Sequence, residues 1–160
     1  MNLTQLPLRA TTGAFILNSG LSKLQADEET AQGLHGFATT AYPVFKDLKP
    51  QTFTQLLGAG EVALGAALLA PMVPSTVAGL GLLGFGGGLM GLYLRVPGMR
   101  EEGSLRPTQQ GTPIAKDSWL VGAGATLALQ GFTSGVRKAG KRAKKRVSSA
   151  AETSRDALPF

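Results

Sequence analysis

The chain has no cysteine, which excludes disulfides, thiolate metal sites and any thiol chemistry carried by the chain itself. It has one histidine, His35, which cannot build a metal or haem site alone. No internal repeat emerges, and no nucleophile stands beside a base, which argues against hydrolysis. Charge is also missing over long stretches. Between Glu61 and Arg95 there is no Asp, Glu, Lys or Arg. A soluble helical bundle distributes its charges along every helix at 3.6-residue spacing, whereas here they cluster between apolar runs.

That uncharged stretch is close to twice the roughly 18 apolar residues a helix needs to cross a bilayer. It is broken once, by Pro71-Met72-Val73-Pro74. A helical hairpin that crosses and returns is the simplest reading, with Ser75 placed to cap the returning helix. Mean hydropathy over the 160 residues is only +0.09, because polar loops and a basic tail dilute the apolar runs. The length allows one domain.

The expected architecture is all-α: an integral membrane four-helix bundle over residues 1–136 and a basic, disordered cytoplasmic tail over 137–160. The transmembrane helices are expected at about 7–24, 53–70, 75–96 and 114–134. Pro7 suits a first helical turn. A cleaved signal peptide competes for this first segment, with Arg9 as its n-region and a cut after Ala26, but Leu24 is large where a small residue is wanted. Asp27 can cap a short interfacial helix whose first turn holds Glu28 and Glu29. Ala31, Leu34, Phe37 or Ala38, and Ala41 then recur at helical spacing, and Tyr42-Pro43 ends the helix. In the third membrane helix, Gly84 and Gly88, like Gly87 and Gly91, stand four apart, a spacing that lets helix backbones approach in lipid. A phosphate-cradling loop needs polar surroundings and a Lys, and neither is present. Thr112-Pro113 reads as the cap and first turn of the fourth helix, with Gly122, Gly124 and Gly131 as packing points. Tyr93 and Trp119 fit an aromatic belt, Arg9 and Arg95 fit interfacial anchors, and His35 reads as a loop-surface residue.

Seven basic residues and no acid fill residues 137–146: Arg137, Lys138, Lys141, Arg142, Lys144, Lys145 and Arg146. Such a run after a membrane helix marks the cytoplasmic side. Four spans then place both termini in the cytoplasm of a multi-pass plasma or inner membrane protein. The tail is expected to touch anionic lipid or to dock a membrane or cytoplasmic protein. Nucleic acid is disfavoured, since no aromatic residue is interleaved with the charges.

Glu61 is the most informative single residue. It sits about 12 Å into its helix at 1.5 Å per residue, where an ionised group costs at least about 2.5 kcal/mol. Asn18 and Lys23 of the antiparallel first helix can reach that depth, so Asn18, Lys23 and Glu61 form a candidate intramembrane cluster. Asn18 and Lys23 lie about 140° apart on an ideal helix, which sets them on different faces. The cluster reads as a register-fixing ion pair, as a pocket for a lipophilic ligand such as a quinone, or as a proton path.

The run Arg9 to Lys23, with Gly20-Leu21-Ser22-Lys23 at its end, resembles the opening helix of DoxX-like membrane proteins. Gly58-Ala59-Gly60-Glu61 resembles their second helix, and Pro43 also fits. The resemblance covers about Leu8 to Leu129 and implies a four-helix membrane fold. It also implies a membrane subunit or anchor, in some members linked to thiosulfate oxidation with quinone as acceptor; thiol or sulfur chemistry would here need a partner protein. The leading expectation is a non-catalytic subunit of a membrane assembly, redox-linked by the resemblance, that holds a quinone-like molecule near Glu61. The alternatives are a quinone-linked oxidoreductase component and a small proton-coupled transporter.

Overall fold

Proline placement sets the helix ends, because a proline ring bars the preceding residue from the helical region. The computed structural model describes residues 3–156, and the described residues contain helices and no strand. The helices are α1 (Leu6–Leu24), α2 (Glu28–Ala41), α3 (Pro50–Leu69), α4 (Ser75–Arg95), α5 (Thr112–Lys116) and α6 (Ser118–Asp156). Short 3-10 turns occupy Leu3–Gln5 and Pro43–Phe45. Tyr42, Ala70 and Val96, each followed by a proline, leave helical geometry and end α2, α3 and α4. Asp27 does cap α2, accepting from the Thr30 N–H at 2.9 Å.

Four details differ from the expectation. The fourth helix divides at Asp117 into the one-turn α5 and the long α6. The tail expected to be disordered is helical as far as Asp156, and residues 157–160 lie outside the described residues. Between Gly140 and Pro159 the sequence has no Gly or Pro, and Ala, Lys, Arg and Glu all favour helix. Ser75 is not a cap: Pro74 holds that position, and the Ser75 hydroxyl donates to the Gln5 side chain. Thr112 likewise follows a Gly111 cap and donates its hydroxyl to the Thr108 carbonyl.

Two antiparallel helix pairs make the bundle, α1 with α3 and α4 with α6, and α2 lies mainly against α3. Each pair closes on glycine. A Cβ on Gly20 would stand 2.7 Å from the Gly58 carbonyl oxygen, and one on Gly65 would stand 2.6 Å from the Leu17 nitrogen. In the second pair a Cβ on Gly79 would meet the Ala128 nitrogen at 2.4 Å, and one on Gly124 the Leu83 nitrogen at 2.5 Å. The contacting glycines recur every seven residues, at Gly13 and Gly20, Gly58 and Gly65, Gly79 and Gly86, and Gly124 and Gly131. The expected packing glycines of α4 are therefore the wrong ones. Gly84, Gly87 and Gly88 face open space, as does Gly122, and Gly91 abuts the Tyr42 hydroxyl. The two pairs meet through Ile16, Leu68, Ala78, Leu82, Leu120, Ala123 and Leu127.

Helices α3 and α4 are long and apolar enough to cross a membrane. Only 33% and 28% of their apolar windows are buried, and the remaining residues are half-buried or exposed. The glycine pattern makes a direct prediction. Gly79→Val forces a branched side chain into the α6 backbone and is expected to cost about 1–3 kcal/mol. Gly87→Ala meets nothing and removes a helix-interior glycine, so it is expected to be neutral or stabilising by up to about 1 kcal/mol. Thermal unfolding of the two variants in detergent checks the contrast.

Candidate functional site

The face of α1 turned toward the bundle carries Gln5, Arg9, Thr12, Ile16, Gly20 and Lys23, spaced by three or four residues. The stripe brings one charged group to each end of α1, and each end forms a distinct site.

At the Lys23 end, the close approach of Gly20 to Gly58 leaves room for an ion pair one turn away. The Lys23 Nζ donates to Glu61 Oε2 at 2.9 Å and to Ser19 Oγ at 2.7 Å. The Glu61 side chain is 3% exposed and that of Lys23 19%. Asn18 does not join them. It is exposed, and it lines a crevice of about 570 Å³ with Phe15, Ser22, Lys23, Asp27 and Thr30, while Glu61 lies outside that lining. The three expected residues thus divide into an ion pair and a crevice that share Lys23. An ammonium has three N–H donors. Two are engaged here, which leaves one beside the crevice, and the Asn18 side chain makes no hydrogen bond among the described residues. Phe15 meets Trp119 of α6 edge-on at 6.2 Å and forms the apolar flank. At the rim, hydrogen bonding from Thr30, through its side chain and then its backbone, holds the Asp27 carboxyl below the usual carboxylate range. Burial pushes the Asp117 carboxyl, at the junction of α5 and α6, above the usual carboxylate range, and the Lys23 charge offsets part of that rise; sequence reasoning did not single Asp117 out.

At the opposite end, Arg9 is not an interfacial anchor; it is buried, at 1% exposure. Its Nε donates to the Leu68 carbonyl at 2.7 Å. One terminal nitrogen donates to the Ala67 and Ala70 carbonyls, both at 2.9 Å. The other donates to the Val73 carbonyl at 3.1 Å and the Ser75 hydroxyl at 3.4 Å. All five guanidinium donors are used. They satisfy carbonyls that the last turn of α3 leaves without helical partners, where the helix dipole favours a cation. Gln5 extends the network: it accepts from Ser75 and donates to Gln130 of α6 at 2.9 Å. The sequence held part of the signal for this end, since Arg9 shares the helical stripe of Gly20 and Lys23 and Asn18 does not.

Other expected residues fall elsewhere. Tyr93 is buried and donates to the Leu105 carbonyl at 2.7 Å, so it is not part of an exposed belt, whereas Trp119 is 43% exposed. Arg95 lies 5.1 Å over the Tyr42 ring. His35 is half-buried, with Nε2 2.9 Å from the Phe45 carbonyl. Arg137, Lys138, Lys141, Arg142, Lys144, Lys145 and Arg146 are all exposed on α6. Among the described residues no three His, Asp or Glu side chains stand close enough to hold a metal ion. No protein-family model, curated protein or solved structure matches the chain.

The ion pair is open to test. Removing one partner leaves the other charge buried, so Lys23→Met is expected to cost about 3–5 kcal/mol. Adding Glu61→Leu in the same chain removes the orphaned carboxylate and is expected to recover most of that loss. A double-mutant cycle on thermal stability in detergent reads the coupling directly.

Proposed function

We propose that the chain is a multi-pass membrane protein in which α1, α3, α4 and the first half of α6 cross the bilayer. In this reading it serves as a non-catalytic subunit or anchor of a membrane assembly. The observation that carries the reading is an inversion of the usual burial pattern. Phe15, Leu56, Val77, Leu80, Leu129 and Phe132 are each more than half exposed, while Gln5, Arg9, Thr54 and Glu61 are buried. Water does not favour that arrangement and hydrocarbon does, because buried charges find their partners inside the bundle. The helices are about 28–32 Å long at 1.5 Å per residue, close to the hydrocarbon thickness. The basic run on α6 favours a cytoplasmic location for both ends, with the α4–α5 loop outside. The resemblance to DoxX-like proteins supports the four-helix membrane fold in this reading.

A second reading, of a quinone-linked oxidoreductase component, is favoured by the crevice beside Lys23. A neutral head with carbonyl oxygens would accept from the remaining Lys23 donor and the Asn18 amide, with its apolar tail along Phe15 and Trp119. Purification from native membranes in mild detergent, with mass spectrometry of proteins and lipids together, tests both. A stoichiometric partner protein is the expected result, and a bound quinone would move the second reading to the front. Protein that carries only phospholipid would remove both.

A further inference from the structure

We propose that the crevice at the root of the basic segment of α6 binds a phosphate ester through its phosphate. The crevice encloses about 380 Å³ between the α3–α4 turn and α6, and its lining includes Met72, Val73, Ser75, Thr76, Ser134 and Lys138. Leu127, Gly131 and Ser134 follow one another on the face of α6 that meets α4, and Lys138 continues that stripe by one more turn. Lys138 is exposed, and it stands at the mouth of the crevice that it helps to line. The approach at Gly131 brings the walls together: a Cβ there would meet the Thr76 nitrogen at 2.4 Å. The hydroxyls of Thr76 and Ser134 have no hydrogen-bond partner among the described residues, and no lining residue is acidic.

The second, independent observation is Arg9, which stands behind this wall. Two of its five bonds end on lining groups, the Val73 carbonyl and the Ser75 hydroxyl. Every partner is a carbonyl or a hydroxyl, and none is a carboxylate. The charge is solvated by dipoles but not cancelled, and buried charges are ordinarily paired. An anion held in the crevice would lie between Arg9 behind and Lys138 in front, with two free hydroxyls to donate. A lysine acts on phosphate as a point charge. The phosphate chemistry stands on these residues alone. Its source in a membrane lipid rests on the membrane reading above, which puts this end of the bundle at the cytoplasmic headgroups.

Native mass spectrometry of the full chain in neutral detergent tests the proposal, with phosphatidylglycerol and soluble glycerol 3-phosphate as probes. One phosphatidylglycerol is expected to bind tightly. Lys138→Gln is expected to weaken it about tenfold, as loss of a charge-assisted contact implies. Lys141→Gln, outside the crevice, is expected to change it by no more than about twofold. Thr76→Val, which preserves shape and charge, is expected to weaken it as well, with thermal unfolding confirming that each variant is folded. Equal weakening by Lys138→Gln and Lys141→Gln would reduce the binding to diffuse attraction by the tail and overturn the site. Glycerol 3-phosphate that displaces the lipid at equal concentration would keep the phosphate site and overturn the lipid as its source. Alkaline carbonate extraction separates the two readings. Release from the membrane would defeat the membrane reading, while Lys138-dependent binding of glycerol 3-phosphate would still decide the crevice.

Discussion

The Arg9 guanidinium holds together the end of the bundle on which the hairpin turns. Five donors in one rigid plane reach three carbonyls of the last turn of α3, the backbone of the turn and the first residue of α4. The Ala67 and Leu68 carbonyls have no helical partner, and the Ala70 carbonyl accepts from the Val73 N–H as well as from Arg9. The arginine is as dependent on them as they are on it, since a guanidinium at 1% exposure has nothing else to solvate it. Through Ser75 and Gln5 the network reaches Gln130, so all four long helices are tied at one level. The ion pair of Lys23 and Glu61 ties α1 to α3 near the other end of α1. The two polar devices fix the register of one helix pair, and the glycine contacts between them let the backbones meet.

Both pairs use the same solution. A glycine every seventh residue on each partner keeps a narrow seam free of side chains, which van der Waals packing then fills with backbone. In lipid this matters more than in water, because removing Leu from hydrocarbon to pack it against another helix gains little. Helices there must be held by close approach and by polar groups with nowhere else to go. The outward apolar faces, the glycine seams and the two internal polar networks are consistent with that single constraint.

Much of this was legible in the sequence. The uncharged stretch from Glu61 to Arg95, its proline break and the helical periodicity of α2 located three helices to within a turn at each end. Lys23 and Glu61 paired as depth and spacing implied, and the 140° separation of Asn18 from Lys23 explains why Asn18 faces the crevice. The misreadings have physical causes. Glycines four apart in α4 match a known packing motif, yet packing selects the face turned to the partner, and that face carries Gly79 and Gly86. Arg9 lies near a helix start, where an interfacial anchor is the ordinary role, and only the tertiary fold shows that the C-terminus of α3 ends against it. The tail is rich in charge, which reads as disorder, but its Ala, Lys and Arg content and its lack of breakers also favour a helical continuation.

The absence of cysteine allows the membrane arrangement to be measured with single introduced thiols. Ser104→Cys lies in the α4–α5 loop and Ser148→Cys in the distal part of α6. With a membrane-impermeant thiol reagent on intact cells, the account predicts labelling of Ser104→Cys at once and of Ser148→Cys only after permeabilisation. Equal labelling of both from one side, or recovery of the protein in the soluble fraction, would contradict it.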